Sequence, residues 1–307
     1  FIQAADQLKG SGVELFKMGE PGVPTIHEFL KNNLKNDMCL GFDGRTVSGS
    51  EAEELKKLLK EKNIHFSVEE DLIGEIWEER PELSCEPVME LEMKWTGETR
   101  ASKIARIRQQ MKEEGADIFI LTSLDDIAWL LNIRGNDIHC CPVVLSYLIM
   151  TEKEVKLFAN EKAFPEKVRR NLEADSVRIY PYNEVYTYAQ KIDKDQNVLI
   201  SEKCVNSRLV SSIPENVTIL DRPNPTLLAK AVKNPVEMEN ERTAHIKDGV
   251  AVTKFIHWLK TKVGEEKITE LGAAEKLYQF RSEQANFLGD SFDPIIAYGI
   301  HAAIVHY

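Results

Sequence analysis

Residues 122–150 read TSLDDIAWLLNIRGNDIHCCPVVLSYLIM, and this stretch decides the fold class. The apolar run DIFILT, which leads into it, is typical of a buried strand. Ser123, with Asp126 three residues later, predicts a capping box for the short helix LDDIAWLLN. The segments PVVLSYLIM and EVKLFAN then predict a pair of strands. A strand, a helix and a strand pair in succession indicate an α/β layer, in which helices pack on a mixed sheet.

Outward from this stretch, the chain divides into three predicted domains separated by polar, proline-containing segments. The first, residues 1–91, has helix patterns in HEFLKNNL and EAEELKKLLKEK and strand patterns in MCLGFDG and NIHFSVEE. The second, residues 98–222, contains the quoted stretch and continues the alternation of helices and strands. The third, residues 228–307, is expected to be the start of a domain, because two helices and one or two strands cannot close a core of their own.

The third predicted domain begins with a long helix. Asn234 is its expected N-cap and Pro235 its first residue, where the missing N–H does no harm. His245 falls on the apolar face of this helix, so we expect a buried histidine with a hydrogen-bond partner. Thr269 is the expected cap of a second helix, and SFDPIIAYGIHAAIVHY, residues 291–307, is predicted to contain a buried strand.

Composition excludes several classes of protein. The 307 residues carry a formal net charge of −11, and dispersed basic residues argue against a nucleic-acid partner. No stretch reaches the roughly 18 apolar residues of a membrane span, and the first residues do not form a signal peptide. The five cysteines are odd in number and form no CxxC pair, which favours reduced, buried cysteines in a cytoplasmic protein. The chain begins without Met and stops after an apolar run, so we expect it to be cut at both ends.

Motifs along the whole chain resemble the three-domain Xaa-Pro aminopeptidases, a family of metallopeptidases. The most specific is the stretch quoted above, which matches the family's middle domain. GFDGRTVS and IGEIWEERPELS resemble the N-terminal domain, and KNPVEMENERTAHIKDGVAVTKFIHWL and SFDPIIAYGIHAAIVHY resemble the start of the catalytic domain. The resemblance implies two creatinase-N-like α/β domains, followed by the beginning of an incomplete pita-bread domain.

The resemblance also implies an activity. Enzymes of this family release the N-terminal residue from peptides with proline in the second position, where the peptide bond is a tertiary amide. They use two metal ions, usually Mn(II), held by two Asp, one His and two Glu that follow the His-Tyr motif at residues 306–307. The carboxylates of this chain are consecutive or lie at helix caps. We therefore expect no metal bound by this chain, and no activity from it alone. The implied partners are proline-containing peptides, in the cytoplasm, with a homodimer left open.

Family matching suggests two site residues. His306 corresponds to an active-site histidine that donates a hydrogen bond to the substrate and stabilises the intermediate. Phe292 corresponds to an aromatic residue of the pocket for the substrate proline, although a core aromatic is an equal alternative. His301 departs from the family pattern; it is either an extra polar group at the site or, in the interpretation we favour, an exposed loop residue. Tyr307 is interpreted as a packing residue.

The remaining family markers have simpler interpretations. Asp125, Asp126 and Trp129 are expected to cap and to pack. Arg134 and Asn136 lie in a loop that the family can turn toward the catalytic cleft, so a contribution to substrate access stays open. Two other functions also remain: a non-catalytic pita-bread relative that binds peptides or proteins, and a hydrolase of the prolidase or creatinase type.

Overall fold

A mixed six-stranded sheet forms the centre of the fold, as the α/β prediction requires. A computed structural model describes residues 1–303, which divide into two compact units. One unit runs from His27 to Val236. The other combines Phe1–Ile26 with the chain from Glu237 onward. The three predicted domain ranges stay a prediction.

The first part of the 27–236 unit has the two predicted helices, α2 (Ile26–Asn33) and α3 (Gly49–Leu59), and a further short helix, α4 (Leu72–Ile76). Its strands β1 (Cys39–Gly41) and β2 (His65–Ser67) pair in parallel. A short helix α1 (Ile2–Gln7) precedes them in the other unit.

The central sheet has the strand order β10-β9-β4-β6-β7-β8. Its strands are β4 (Ile118–Leu121), β6 (Ser146–Thr151), β7 (Val155–Ala159), β8 (Val177–Pro181), β9 (Asn197–Ile200) and β10 (Thr218–Asp221). The pairs β4–β6 and β6–β7 are antiparallel, and the other pairs are parallel. The predicted strand pair is therefore β6–β7, and the mixed sheet is confirmed.

Helices cover both faces of this sheet. On one face, α6 (Arg100–Glu113), α7 (Leu124–Leu131) and α8 (Glu166–Ala174) pack on Phe119 and Leu121 of β4. On the other, α9 (Glu184–Ala189) and α10 (Ser207–Ser212) pack on Ile118 and Ile120. Successive residues of a strand point to opposite faces, so burial on both sides explains why DIFILT has no polar alternation.

The remaining elements of this unit are short. Strands β3 (Met89–Glu90) and β5 (Ile133–Arg134) form a separate antiparallel pair, and α5 (Met93–Thr96) follows β3. Helix α11 (Pro225–Ala231) lies beyond β10 and packs against α6 and α7.

Backbone contacts join the first α/β layer to α10. Ser48 and Asn206 form an isolated bridge, and Arg208 N donates to the carbonyl of Gly44 at 3.0 Å. Ser207 Oγ also donates to that carbonyl, at 3.1 Å. Because the two backbones approach so closely, Gly44 has no room for a side chain: a Cβ would lie 2.7 Å from Val68 O and 3.0 Å from Arg208 Cβ.

We expect Gly44→Ala to destabilise the 27–236 unit by about 1–3 kcal/mol, since the added methyl must displace the Val68 carbonyl and the Arg208 side chain. Hydrogen exchange of β1 and β2 under increasing denaturant measures the effect in this unit. Gly249→Ala is the control, because a Cβ there has nothing within 4 Å and the residue belongs to the other unit, so exchange of β1 and β2 should not change. Equal exchange of β1 and β2 in Gly44→Ala and the parent would contradict the close approach.

The second unit contains two long helices. They are α12 (Pro235–Lys262), whose first turn begins in the 27–236 unit, and α13 (Glu270–Ser282). The predicted caps are confirmed: Val236 N donates to Asn234 Oδ1 at 3.0 Å, and Gly272 N donates to Thr269 Oγ1 at 3.0 Å. A 3₁₀ helix follows at Gly299–Ala303.

Two predictions for this unit are wrong. His245 is exposed, because in the described part of α12 the only buried residue is Ala251 and the predicted apolar face is not covered. The predicted strand is absent from residues 291–303, which are irregular up to the 3₁₀ helix. A strand needs a neighbouring strand for its backbone hydrogen bonds, and the described residues of this unit supply none. Within residues 1–303, no helix combines the length and apolar character needed to cross a membrane.

Candidate functional site

The segment that carries Phe292 and His301 is attached to the start of α13 by one carboxylate. Glu270, in the first turn of α13, accepts a hydrogen bond from Tyr298 N at 2.6 Å. Its two oxygens also lie 3.0 and 2.9 Å from His301 Nδ1. His301 is therefore a half-buried partner of Glu270, and its interpretation as an exposed loop residue is wrong.

Arg281 ties the same segment to both long helices. From α13 it donates to Asp248 of α12 at 2.8 Å and to Asp290 at 3.0 Å. Burial disfavours the charged guanidinium, but the two ion pairs outweigh this and raise the pKa of Arg281. Asp290 lies two residues before Phe292, so this part-buried ion pair sets where the segment leaves α13.

Replacing Arg281 with methionine should loosen this segment. The Asp290 carboxylate, which is nearly buried, would lose its partner. A hydrogen bond to a charged group contributes about 1.5–3 kcal/mol. We expect amide hydrogen exchange of residues 286–298 to accelerate at least tenfold, as measured by mass spectrometry. Arg242→Met, which removes an exposed ion pair with Glu239, is the control and should change nothing there. Unchanged exchange in Arg281→Met would show that Arg281 does not hold the segment.

Phe292 lies in the irregular part of the segment and is 64% exposed, so it is no core aromatic. Its predicted role in a substrate pocket stays a prediction. His306 and Tyr307 lie outside the described residues, and the role predicted for His306 stays a prediction too.

Asp126 faces α11 instead of capping α7. Ser123 occupies the N-cap position, but its hydroxyl accepts no hydrogen bond from the helix; it accepts one from Asn224 Nδ2 at 3.1 Å. Asp126 is only 2% exposed, accepts from Thr226 Oγ1 at 2.9 Å and lies 2.7 Å from Lys230 Nζ. The predicted capping box is wrong, because partners on α11 outcompete the local ones.

Asp125 and Trp129 complete the contacts of α7. Burial works against ionised Asp125, but its contact with Lys230 prevails and lowers the pKa of that carboxyl. Trp129 is buried in the main core, with Lys103 Nζ 4.4 Å from its ring centroid, so its packing role is confirmed. These residues therefore act within the scaffold of the 27–236 unit.

Arg134 and Asn136 differ in exposure. Arg134 donates to the carbonyls of Ala128 and Ile133 at 3.1 and 2.8 Å, so it joins the start of β5 to α7. Asn136 is exposed. Their contribution to substrate access stays a prediction.

The described residues do not contain the ligands of a di-nuclear metal centre. Such a centre needs several carboxylates and a histidine converging on one point. Within residues 1–303, side chains of these types gather in groups of three at most. The geometry therefore fits no two-metal site in this part of the chain.

Periodicity alone missed Glu270 and Arg281. In ITELGAAEKLYQFRSEQ, both read as polar residues on a solvated helix face. Their partners lie 9 to 33 residues away, so no local pattern indicates the contacts.

Two known protein families together match nearly all of the chain from residue 79 onward. Residues 79–237 match the creatinase/prolidase N-terminal domain, and residues 239–307 match metallopeptidase family M24.

Several curated proteins align with the whole chain. Xaa-Pro aminopeptidase 1 of Dictyostelium discoideum is 34% identical over 320 residues, and Xaa-Pro aminopeptidase app-1 of Caenorhabditis elegans is 33% identical over 315. The alignments cover 100% of this chain and 51% of each relative. The chain thus spans about half the length of the curated relatives it matches.

One solved structure is similar over the same range. The crystal structure of X-prolyl aminopeptidase from Caenorhabditis elegans matches with a TM-score of 0.92 at 33% identity, over 100% of this chain and 51% of that one. That protein is described as a cytosolic enzyme with a di-nuclear active site.

Proposed function

The chain belongs to the creatinase/prolidase N-terminal domain family and is homologous to Xaa-Pro aminopeptidases over its whole length. We therefore propose that it is part of a metal-dependent aminopeptidase. The reaction is release of the N-terminal residue from peptides whose second residue is proline. One observation carries the proposal: an aminopeptidase structure matches the whole chain, not the N-terminal domains alone, with a TM-score of 0.92.

The chain's own residues would bind and orient the substrate. We assign Phe292 to the pocket for the substrate proline, which its exposed ring leaves free to contact a ligand. We assign His306 as the donor of a hydrogen bond to the substrate carbonyl, where such donors are worth about 2.7–4 kcal/mol in the transition state. Arg281 and Glu270 are positioning residues: Arg281 binds Asp290, just before Phe292, and Glu270 binds Tyr298 N, after it.

Several finer assignments belong to the same proposal. We assign two divalent metal ions, Mn(II), to the active enzyme, held by residues outside the described part of the chain. We also assign the three domain ranges 1–91, 98–222 and 228–307 and a cytoplasmic location, and we leave the homodimer open. The di-nuclear, cytosolic relative supports the metals and the location.

The 307-residue chain itself should not hydrolyse Xaa-Pro peptides, because its described residues contain no two-metal ligand set. The measurement is release of alanine from Ala-Pro-Ala with added Mn(II), beside a blank with metal only. Turnover above the blank would contradict the prediction of inactivity.

The function itself is tested on the chain extended by any coding sequence that continues beyond Tyr307. We expect hydrolysis of Ala-Pro-Ala but little of Ala-Ala-Ala, and loss of activity in His306→Ala by about 10²–10³-fold. Hydrolysis of the dipeptide Ala-Pro alone would indicate a prolidase. Binding of proline peptides without turnover would indicate a non-catalytic relative. Either result overturns the proposal.

A further inference from the structure

Three metal-binding side chains meet where α2 lies against α3. His27 is in the first turn of α2, and Glu51 and Glu54 are three residues apart on α3, which places them on one face of that helix. One ligand atom from each residue lies within 4.8 Å of the other two. His27 Nε2 and Glu51 Oε1 are already 2.8 Å apart.

The negative charge of this cluster is not balanced by a basic side chain. Among the ion pairs of the described residues, Glu51 pairs only with His27 and Glu54 with none. The nearby Lys57 pairs with Glu53 instead, at 3.7 Å. With a neutral imidazole, the cluster carries two negative charges, which is the charge that one divalent cation neutralises.

Local structure holds the ligands in place. Ser48 caps α3 and accepts a hydrogen bond from Glu51 N at 3.2 Å, which fixes the first turn from which Glu51 projects. His27 and Glu51 are each about one third to one half exposed, so an ion can enter and keep water ligands.

Helix α2 has no buried residue, so apolar packing holds it only weakly. Polar contacts hold its two ends: His27 to Glu51 at the start, and Lys62 Nζ to the carbonyls of Lys31 in the last turn and of Leu34 just after it. A metal bridging α2 and α3 would strengthen the first of these contacts.

We propose that His27, Glu51 and Glu54 bind one Zn(II) ion, with water in the remaining position, and that the ion fixes α2 on α3. An imidazole nitrogen with two carboxylate oxygens is a zinc ligand set, and zinc stands above Mn(II) in affinity for mixed nitrogen and oxygen ligands. The site differs from the two-metal centre of the proposed enzyme. It also reverses the expectation that this chain binds no metal.

The test measures Zn(II) binding by titration calorimetry on the 307-residue chain with its cysteines alkylated. His27→Gln and Glu54→Gln should each weaken one site at least tenfold. Glu53→Gln is the matched control, since it removes the same charge from the same helix and leaves the cluster intact. Zinc should also slow hydrogen exchange of residues 27–33 in the parent chain and in Glu53→Gln, because binding stabilises the bound form.

Equal zinc affinity in the parent, His27→Gln and Glu54→Gln would overturn the site. Zinc binding at this site without slower exchange in residues 27–33 would overturn the clamping role. Neither readout depends on peptidase activity, so both stand apart from the proposed function.

Discussion

Arg100→Met is expected to destabilise the 27–236 unit by about 3 kcal/mol, because it removes the hydrogen bonds of a buried guanidinium to two carbonyls and two part-buried carboxylates, and a hydrogen bond to a charged group contributes about 1.5–3 kcal/mol. Arg100 is 6% exposed at the start of α6. Its guanidinium donates to Leu131 O at 2.7 Å and to Asn171 O at 3.1 Å, and it pairs with Asp175 at 2.9 Å and with Glu90. One side chain thereby joins β3, α6, α7 and α8.

Arg100→Lys should recover only part of this loss. A lysine offers three donors from one point, whereas the planar guanidinium reaches acceptors on several elements at once. Arg106→Met is the control: its ion pair with Glu98 is exposed, and such pairs contribute about 0–1 kcal/mol.

Hydrogen exchange of β4 and β6 under increasing denaturant is the suitable measurement. The chain contains two units, so a single unfolding transition does not report on one of them. A loss below 1 kcal/mol for Arg100→Met, equal to that of the Arg106→Met control, would contradict the role assigned to Arg100.

Lys230→Met should have a comparable effect, about 3–5 kcal/mol, through Asp126. The Asp126 carboxylate is 2% exposed and lies 2.7 Å from Lys230 Nζ. Without the lysine, this carboxylate keeps the hydrogen bond from Thr226, and a single hydrogen bond does not compensate for a buried charge. Helix α11 should therefore detach from α7, with faster exchange in residues 225–231.

Two further variants separate the causes. Asp125→Asn removes the more exposed partner of Lys230 and should cost about 1 kcal/mol or less. Lys230→Met combined with Asp126→Asn should recover at least half of the loss, because a neutral amide can still accept from Thr226. A double variant as unstable as Lys230→Met would show that the buried charge is not the cause.

Local sequence patterns predicted the secondary structure and the helix caps well wherever a segment's own residues decide its structure. The unbroken apolar run of β4, the alternation of helices and strands, and the caps at Asn234 and Thr269 follow from short-range rules. The family motifs indicated the creatinase/prolidase fold and the link to aminopeptidases, because they match over the whole chain.

Tertiary structure decided the contacts between distant segments. Asp126 turns to Thr226 and Lys230, about one hundred residues away, instead of capping α7. His245 is exposed because burial of a helix face depends on which element covers it. The segment 291–303 is no strand, since a strand requires a partner edge and Glu270 offers a carboxylate instead.

The sequence by itself determined the α/β class, most of the helices and strands and the family, since these depend on residues close together in the chain. Only the folded chain brought together Arg100 with Glu90 and Asp175, Arg281 with Asp248 and Asp290, and His27 with Glu51 and Glu54. In each case charged residues look solvated in the sequence, and what they pair with depends on packing that no local pattern encodes.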